Sequence, residues 1–191
     1  PAAILTEALQ ADYWKPVQAG NLDQTDTHTV QGLVSNKKSV FHPEVYRLQL
    51  PASPHLVAAQ EGVGISLDRF TLPETKNHLT VEGAGGVMVP LNNQHLVLDL
   101  IQQLQLEVVV VSRNYLGSIN HTLTTLEVLK SRQIPVAGII FNGVPNPSTQ
   151  DFILQYTQLP VYPSILEEPV FDKETVLRYA RLFNAYFSAH A

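Results

Sequence analysis

Four short segments of this 191-residue chain place ligand-binding side chains beside residues that stiffen or open the backbone. In Lys15-Pro16-Val17-Gln18-Ala19-Gly20 a proline stiffens the chain next to a lysine leaving a short strand. Glu82-Gly83-Ala84-Gly85-Gly86 puts a carboxylate at a strand tip, followed by backbone bare enough for close approach to a ligand. In Tyr115-Leu116-Gly117-Ser118-Ile119-Asn120-His121, Gly117 and Ser118 lead into a helix whose free N–H groups suit a carboxylate or phosphate. Phe141-Asn142-Gly143 ends a strand with an amide, which matches a base edge offering both a donor and an acceptor. Asp26 and Glu82 together could hold a hard cation such as magnesium, which takes one or two carboxylates plus water and phosphate oxygens.

Each segment alone also has an ordinary structural explanation. Taken alone, Lys15 reads rather as a snorkelling surface lysine on an edge strand and Asn142 as a turn residue, and the glycines read as a turn, Gly117-Ser118 as a plain cap and Asp26 as a solvated acid. Several motifs are absent. Gly83 and Gly85 would need a third glycine where Met88 stands to make a dinucleotide fingerprint. The seven histidines (28, 42, 55, 78, 95, 121 and 190) form no HExxH pair, and there is no GxSxG elbow. No glycine is followed by lysine, so the phosphate loop GxxxxGK[ST] does not occur.

The elements that must position these residues alternate. Ile4, Leu5, Ala8 and Leu9 recur at helical spacing from the first residues, and a strand broken by proline follows over Tyr13 to Val17. A weak helix is expected from Thr27 to Val34; Ser53-Pro54 reads as the N-cap and first residue of another, ended by Gly62. Strands are expected at Leu79 to Glu82, Glu107 to Ser112, Val136 to Phe141 and Val161 to Ile165. Helices are expected at Gln94 to Leu104, Ser118 to Arg132 and Lys173 to Phe187, and Pro145-Asn146-Pro147 marks a rigid exposed loop. The run Val108-Val109-Val110-Val111 needs cover on both faces. The pattern predicts an α/β fold, a mostly parallel sheet with helices on both faces, whose ligands gather beyond the carboxyl ends of the strands.

Composition narrows the class. Apolar residues make up 45% of the chain and charged ones 15%, which suits a globular protein and excludes a disordered one. The length suggests one domain spanning 1–191. Twelve Lys and Arg against 17 Asp and Glu give a net charge of −5 with no basic stripe, which argues against a nucleic-acid partner. The chain has no cysteine, no apolar run near the roughly 18 residues of a membrane span and no basic leader, so a cytoplasmic location without membrane contact is expected.

In order and spacing, KPVQAG (15–20), Asp26, SPHLVAAQEG (53–62), VEGAGGVMVPL (81–91), VVVSRNYLGSINHTL (109–123) and GIIFNG (138–143) resemble the dethiobiotin synthetases. The resemblance covers nearly the whole chain and is strongest from Ser53 to Gly143. It implies a P-loop NTPase-like fold and a homodimeric ligase of biotin biosynthesis. Such a cyclo-ligase closes a ureido ring on 7,8-diaminopelargonic acid with CO₂, using ATP as co-substrate and Mg²⁺. The diamine is carbamylated, ATP phosphorylates the carbamate, and the second amine displaces phosphate.

By this resemblance Lys15 is the catalytic lysine facing the carbamate and the transferring phosphoryl group. Asp26 and Glu82 are the Mg²⁺ carboxylates and, with Gly83, Ala84 and Gly85, line the nucleotide. Asn142 reads adenine, and Ile165, Leu166 and Glu167 lie where further nucleotide contacts fall. Gly117, Ser118 and Asn120 bind the remote carboxylate of the substrate from the neighbouring subunit, so the substrate site lies at the dimer interface.

Two departures bear on this expectation. Ala19 stands where the family commonly carries a hydroxyl residue near the substrate amine. The family also begins with a strand and phosphate loop, and Pro1 to Gln10 resembles the helix that follows them. Roughly 15 to 25 further residues would supply both, which makes the domain N-terminally incomplete as written and predicts negligible ATP turnover from this stretch alone. Two other readings remain: a non-catalytic nucleotide-binding or sensor module of the same family, and an amidotransferase-linked synthetase of the cobyric acid type, whose glutaminase cysteine is absent here.

Overall fold

The computed structural model describes residues 1–190. Its first strand pair follows from Pro16, which has no N–H to give a ladder and splits the expected strand into β1 (Asp12–Trp14) and β2 (Val17–Ala19). β1 lies between β3 (Phe41–His42) and β5 (Leu79–Val81), parallel to both, while β2 pairs in parallel with β4 (Tyr46–Leu48). The Pro16 carbonyl, freed from the ladder, accepts the N–H groups of Val45 and Tyr46 at 2.9 and 3.1 Å, joining the two strand groups. β6 (Val108–Arg113) and β7 (Val136–Asn142) form a third parallel group.

Among the described residues seven α-helices cover these strands: α1 (Ala2–Leu9), α2 (Asp26–Leu33), α3 (Pro54–Gln60), α4 (Val97–Gln103), α5 (Ser118–Ser131), α6 (Pro147–Thr157) and α7 (Lys173–Ala189). Strand alternation sends neighbouring side chains to opposite faces. Tyr13 of β1 and Ile140 of β7 enter a cluster with Ile4 of α1, Val30 of α2 and Val176 and Phe183 of α7. Ile139 and Phe141 of β7 pack instead with Leu98 of α4, Leu126 and Leu129 of α5 and Ile153 of α6. Trp14 joins a further cluster with Leu48, Val57 and Leu91. The strands are thus covered on both faces, as expected of the α/β class.

The expected strand over Val161 to Ile165 does not form. Only isolated parallel bridges join Ile139 to Val161 and Asn142 to Ile165, because Pro160 and Pro163 remove the donors a continuous ladder would need. Pro145-Asn146-Pro147 is exposed, as expected, but it is the entry to α6: Asn146 Oδ1 accepts the Thr149 N–H at 3.2 Å and Pro147 takes the first helical position. The Ser53 hydroxyl does not cap α3; it pairs with His55 Nδ1 at 2.9 Å. α4 starts three residues later than Gln94, because Asn92 Oδ1 accepts the N–H groups of Gln94 and His95, both at 2.8 Å, and holds that segment in a turn. No helix among the described residues is long and apolar enough to cross a membrane.

Candidate active site

The register of β1 against β5 builds the centre of the site. Trp14 lies beside Val81, and the Glu82 N–H donates to the Trp14 carbonyl at 2.9 Å, so the next residues, Lys15 and Glu82, come off the two strand ends side by side. Lys15 Nζ is 3.5 Å from Glu82 Oε1 and donates to the Gly83 carbonyl at 3.3 Å. The third partner arrives from α2, whose first residue, Asp26, places Oδ2 2.9 Å from the same ammonium. Lys15 is only 6% exposed, which excludes the snorkelling surface lysine. The Asp26 and Glu82 side chains keep 49% and 34% of their surface open, so the cluster presents acid oxygens outward around a nearly buried cation.

Buried polar side chains hold this arrangement. The Thr25 hydroxyl caps α2 by accepting the His28 N–H at 3.3 Å, and the Asp26 N–H donates to Gln18 Oε1 at 3.2 Å. Gln18, itself buried, spends its amide donor on the Gly20 carbonyl at 3.0 Å. Tyr13 is fully buried and donates its hydroxyl to Glu82 Oε2 at 2.8 Å. Burial, the Glu82 charge beside it and this hydrogen bond push the Tyr13 pKa far up, so the phenol remains a donor. Close by, burial acts to raise the pKa of Glu44, but hydrogen bonds led by that from the Thr27 hydroxyl, at 2.7 Å, outweigh it and hold the acid below its usual range. Neither Tyr13 nor Gln18 is among the residues singled out from sequence. The available signal is the strand period of two, which puts Tyr13 on the same side as Lys15.

Beyond Glu82 the backbone turns tightly. Gly85 has φ of 84°, and a side chain there would press against Val89 Cγ2 at 3.0 Å, while Ala84 packs into the core. Ala19 ends β2, paired with Leu48.

The other expected residues lie outside the lysine cluster. Asn142 ends β7, its carbonyl accepting the Asn114 N–H at 3.1 Å, and its side-chain amide has no partner among the described residues. Next to it the Gly143 N–H donates to the Ile165 carbonyl at 2.9 Å, and Ile165 donates to Phe141 at 2.9 Å. Leu166 donates its N–H to the Tyr179 hydroxyl at 2.9 Å, and exposed Glu167 lies 3.6 Å from Arg113. This makes a second strand-end group around Asn142, with no hydrogen bond or ion pair to Lys15.

Gly117, Ser118 and Asn120 border an open groove of about 1190 Å³ between α5 and α6, lined also by Tyr115, Leu116 and Phe152. Gly117 caps α5 at φ of 101°, a left-handed conformation, and the Ser118 N–H donates back to the Tyr115 carbonyl at 3.0 Å. Tyr115, Leu116 and Phe152 are all exposed, and the Tyr115 hydroxyl hydrogen-bonds His121.

Magnesium fits the residues present at the lysine cluster. Two partly open carboxylates supply the hard oxygens it prefers, and the remaining positions would go to water and phosphate. No group of three or more His, Asp or Glu among the described residues forms a complete cage, which magnesium does not require.

Parallel strands between helix layers, with charged side chains gathered at the strand ends, are the architecture of P-loop NTPase-like domains, and the AAA domain family model matches residues 2–175. The most informative relatives carry the name ATP-dependent dethiobiotin synthetase BioD. The protein of Christiangramia forsetii is 49% identical over 182 residues, covering 95% of this chain and 87% of that protein. That of Cytophaga hutchinsonii is 50% identical over 188 residues, covering 97% and 91%. A biotin biosynthesis bifunctional protein BioCD from Bordetella avium is 42% identical over 176 residues, 92% of this chain and 38% of its own length. The chain belongs to the dethiobiotin synthetase family.

Proposed function

We propose that Lys15, Asp26 and Glu82 form the phosphoryl-transfer centre of an ATP-dependent dethiobiotin synthetase, a ligase of biotin biosynthesis. It converts 7,8-diaminopelargonic acid, CO₂ and ATP to dethiobiotin, ADP and phosphate. The observation that carries this reading is the nearly buried Lys15 ammonium at the end of β1, held between Glu82 from the neighbouring parallel strand and Asp26 from the start of α2.

One amine of the diamine takes up CO₂ as a carbamate, ATP phosphorylates the carbamate, and attack by the second amine closes the five-membered ring and releases phosphate. Lys15 stands where charge grows on the transferring group, and a fixed ammonium in a site of low dielectric stabilises that charge without reorganising. The Gly83 carbonyl and the two acids keep the ammonium aimed at that place. Asp26 and Glu82 would hold Mg²⁺, which when bound offsets repulsion between phosphate oxygens. The backbone of Gly83, Ala84 and Gly85 walls the nucleotide, and the unpaired Asn142 amide meets the adenine edge beside Ile165, Leu166 and Glu167.

The chain acts as one domain in the cytoplasm, as a homodimer built on the α5–α6 groove. From the second subunit the N-terminal turn of α5, with Gly117, Ser118 and Asn120, receives the remote carboxylate of the diamine, the Ser118 N–H being already bonded to the Tyr115 carbonyl at 3.0 Å and the N–H groups after it carrying the contact. The exposed apolar side chains of the groove support this use.

Incubating the full-length protein with 7,8-diaminopelargonic acid, bicarbonate and MgATP should give dethiobiotin, ADP and phosphate in equal amounts. ATP hydrolysis uncoupled from the diamine, or no turnover at all, would overturn the assignment.

A further inference from the structure

The Glu82 carboxylate has a partner on each oxygen. Oε1 faces Lys15 at 3.5 Å, and Oε2 receives the Tyr13 hydroxyl at 2.8 Å. A strand-end glutamate turns freely about its last torsion, and an ammonium ion attracts either oxygen equally well, so Lys15 alone does not fix the carboxylate plane. The phenol does, because it is rigid. Tyr13 is fully buried on β1, its ring lies 6.2 Å from that of Phe41, and it packs in the core formed with α1, α2 and α7. The hydroxyl thus reaches the site from the protein interior.

We infer that Tyr13 is a positioning residue, locking the Glu82 carboxylate in the one orientation that presents Oε1 to Lys15 and leaves the outward lone pairs for the metal–phosphate group. It touches neither substrate nor nucleotide and acts through Glu82. Groups behind a metal-binding side chain tune affinity by this kind of orientation. This inference rests on the assignment of Glu82 to the metal–phosphate site.

Magnesium binding to the full-length protein saturated with a non-hydrolysable ATP analogue, measured by calorimetry, tests it without turnover. Tyr13→Phe keeps the ring and its packing, and should weaken magnesium binding about tenfold. Affinity for the metal-free nucleotide should hold, and the thermal midpoint should stay within a few degrees. 4-Aminophenylalanine at position 13, which restores a donor at the same place, should recover most of the loss. In a Glu82→Gln background, Tyr13→Phe should change nothing further. Unchanged magnesium affinity in Tyr13→Phe, equal impairment by the donor-bearing analogue, or an undiminished effect in the Glu82→Gln background would each overturn the role of Tyr13. Should Tyr13→Phe fold poorly, 4-methylphenylalanine at position 13, which fills the space of the hydroxyl without a donor, replaces it in each comparison, with the same outcomes expected. If Glu82→Gln alone leaves magnesium binding intact, the assignment of Glu82 fails instead.

Discussion

Lys15 stands beside Glu82, 3.5 Å away, because β1 and β5 run parallel with Trp14 next to Val81 and both strands stop there. A shift of one residue in that register would send Lys15 or Glu82 to the opposite face. Pro16, which ends β1, and Gly83, which opens the turn after β5, make the juxtaposition a property of local chain chemistry.

Removal of the cation should therefore affect chemistry more than folding. Lys15→Ala is expected to lower turnover at least about a hundredfold, a barrier increase of about 3 kcal/mol, the usual loss of one fixed charge-stabilising group. Water can resolvate the half-exposed Asp26 and part-exposed Glu82, so the stability change should be on the order of 1 kcal/mol. Steady-state kinetics beside denaturant unfolding measure both; a variant that unfolds readily, or one with full activity, contradicts this role.

At the other end of β1, Asp12 is buried and should make the fold sensitive to acid. Burial acts to raise its pKa, but hydrogen bonds from Thr75, Asn77, the Val40 N–H and His42 outweigh this and hold the carboxyl at about 2. A folded pKa below the unfolded value of 3.8 means the contribution is complete above about pH 4 and is lost as pH falls toward about 2. The shift corresponds to about 2 kcal/mol. Asp12→Asn should lose that amount at pH 7 and show a shallower decline between pH 4 and 2 in unfolding curves. An unchanged acid limb would show that other carboxylates govern it.

The α5–α6 groove predicts assembly. Phe152 is exposed on α6 and stacks on Tyr156 with ring centroids 6.0 Å apart, so an acid there costs the isolated subunit little but would be buried in a dimer. The parent should sediment as a dimer and Phe152→Asp as a monomer, with the KM for the diamine raised about tenfold or more, since an interface left with a buried unpaired charge loses several kcal/mol. Nucleotide affinity should hold. A variant that remains dimeric places the subunit contact elsewhere.

Much of this arrangement was legible in the chain. The apolar run Val108 to Val111, the helical spacing of Ile4, Leu5 and Ala8, and the Lys15, Glu82 and Asn142 strand ends are local patterns, and local patterns survive folding. The rest depends on partners distant in sequence or on a start signal masked by prolines. Pro145 and Pro147 give the start of α6 the composition of a loop, although Asn146 before Pro147 is a helix-start signal. The short β3 and β4 give too few residues for a period, and they form because β1 and β2 supply a ladder. The contacts of Tyr13 and Gln18 arise only when Glu82 and Asp26, 69 and 8 positions away, are brought beside them. Conversely, Val161 to Ile165 is apolar enough for a strand, and its prolines, visible in the sequence, forbid the ladder.

The most direct measurement is a crystal structure of the full-length enzyme with a non-hydrolysable ATP analogue and manganese in place of magnesium, the metal located by anomalous scattering. The metal should be directly coordinated by carboxylate oxygens of both Asp26 and Glu82, with Lys15 Nζ in hydrogen-bonding contact with the γ-phosphate. A metal and triphosphate bound away from these three side chains would contradict it.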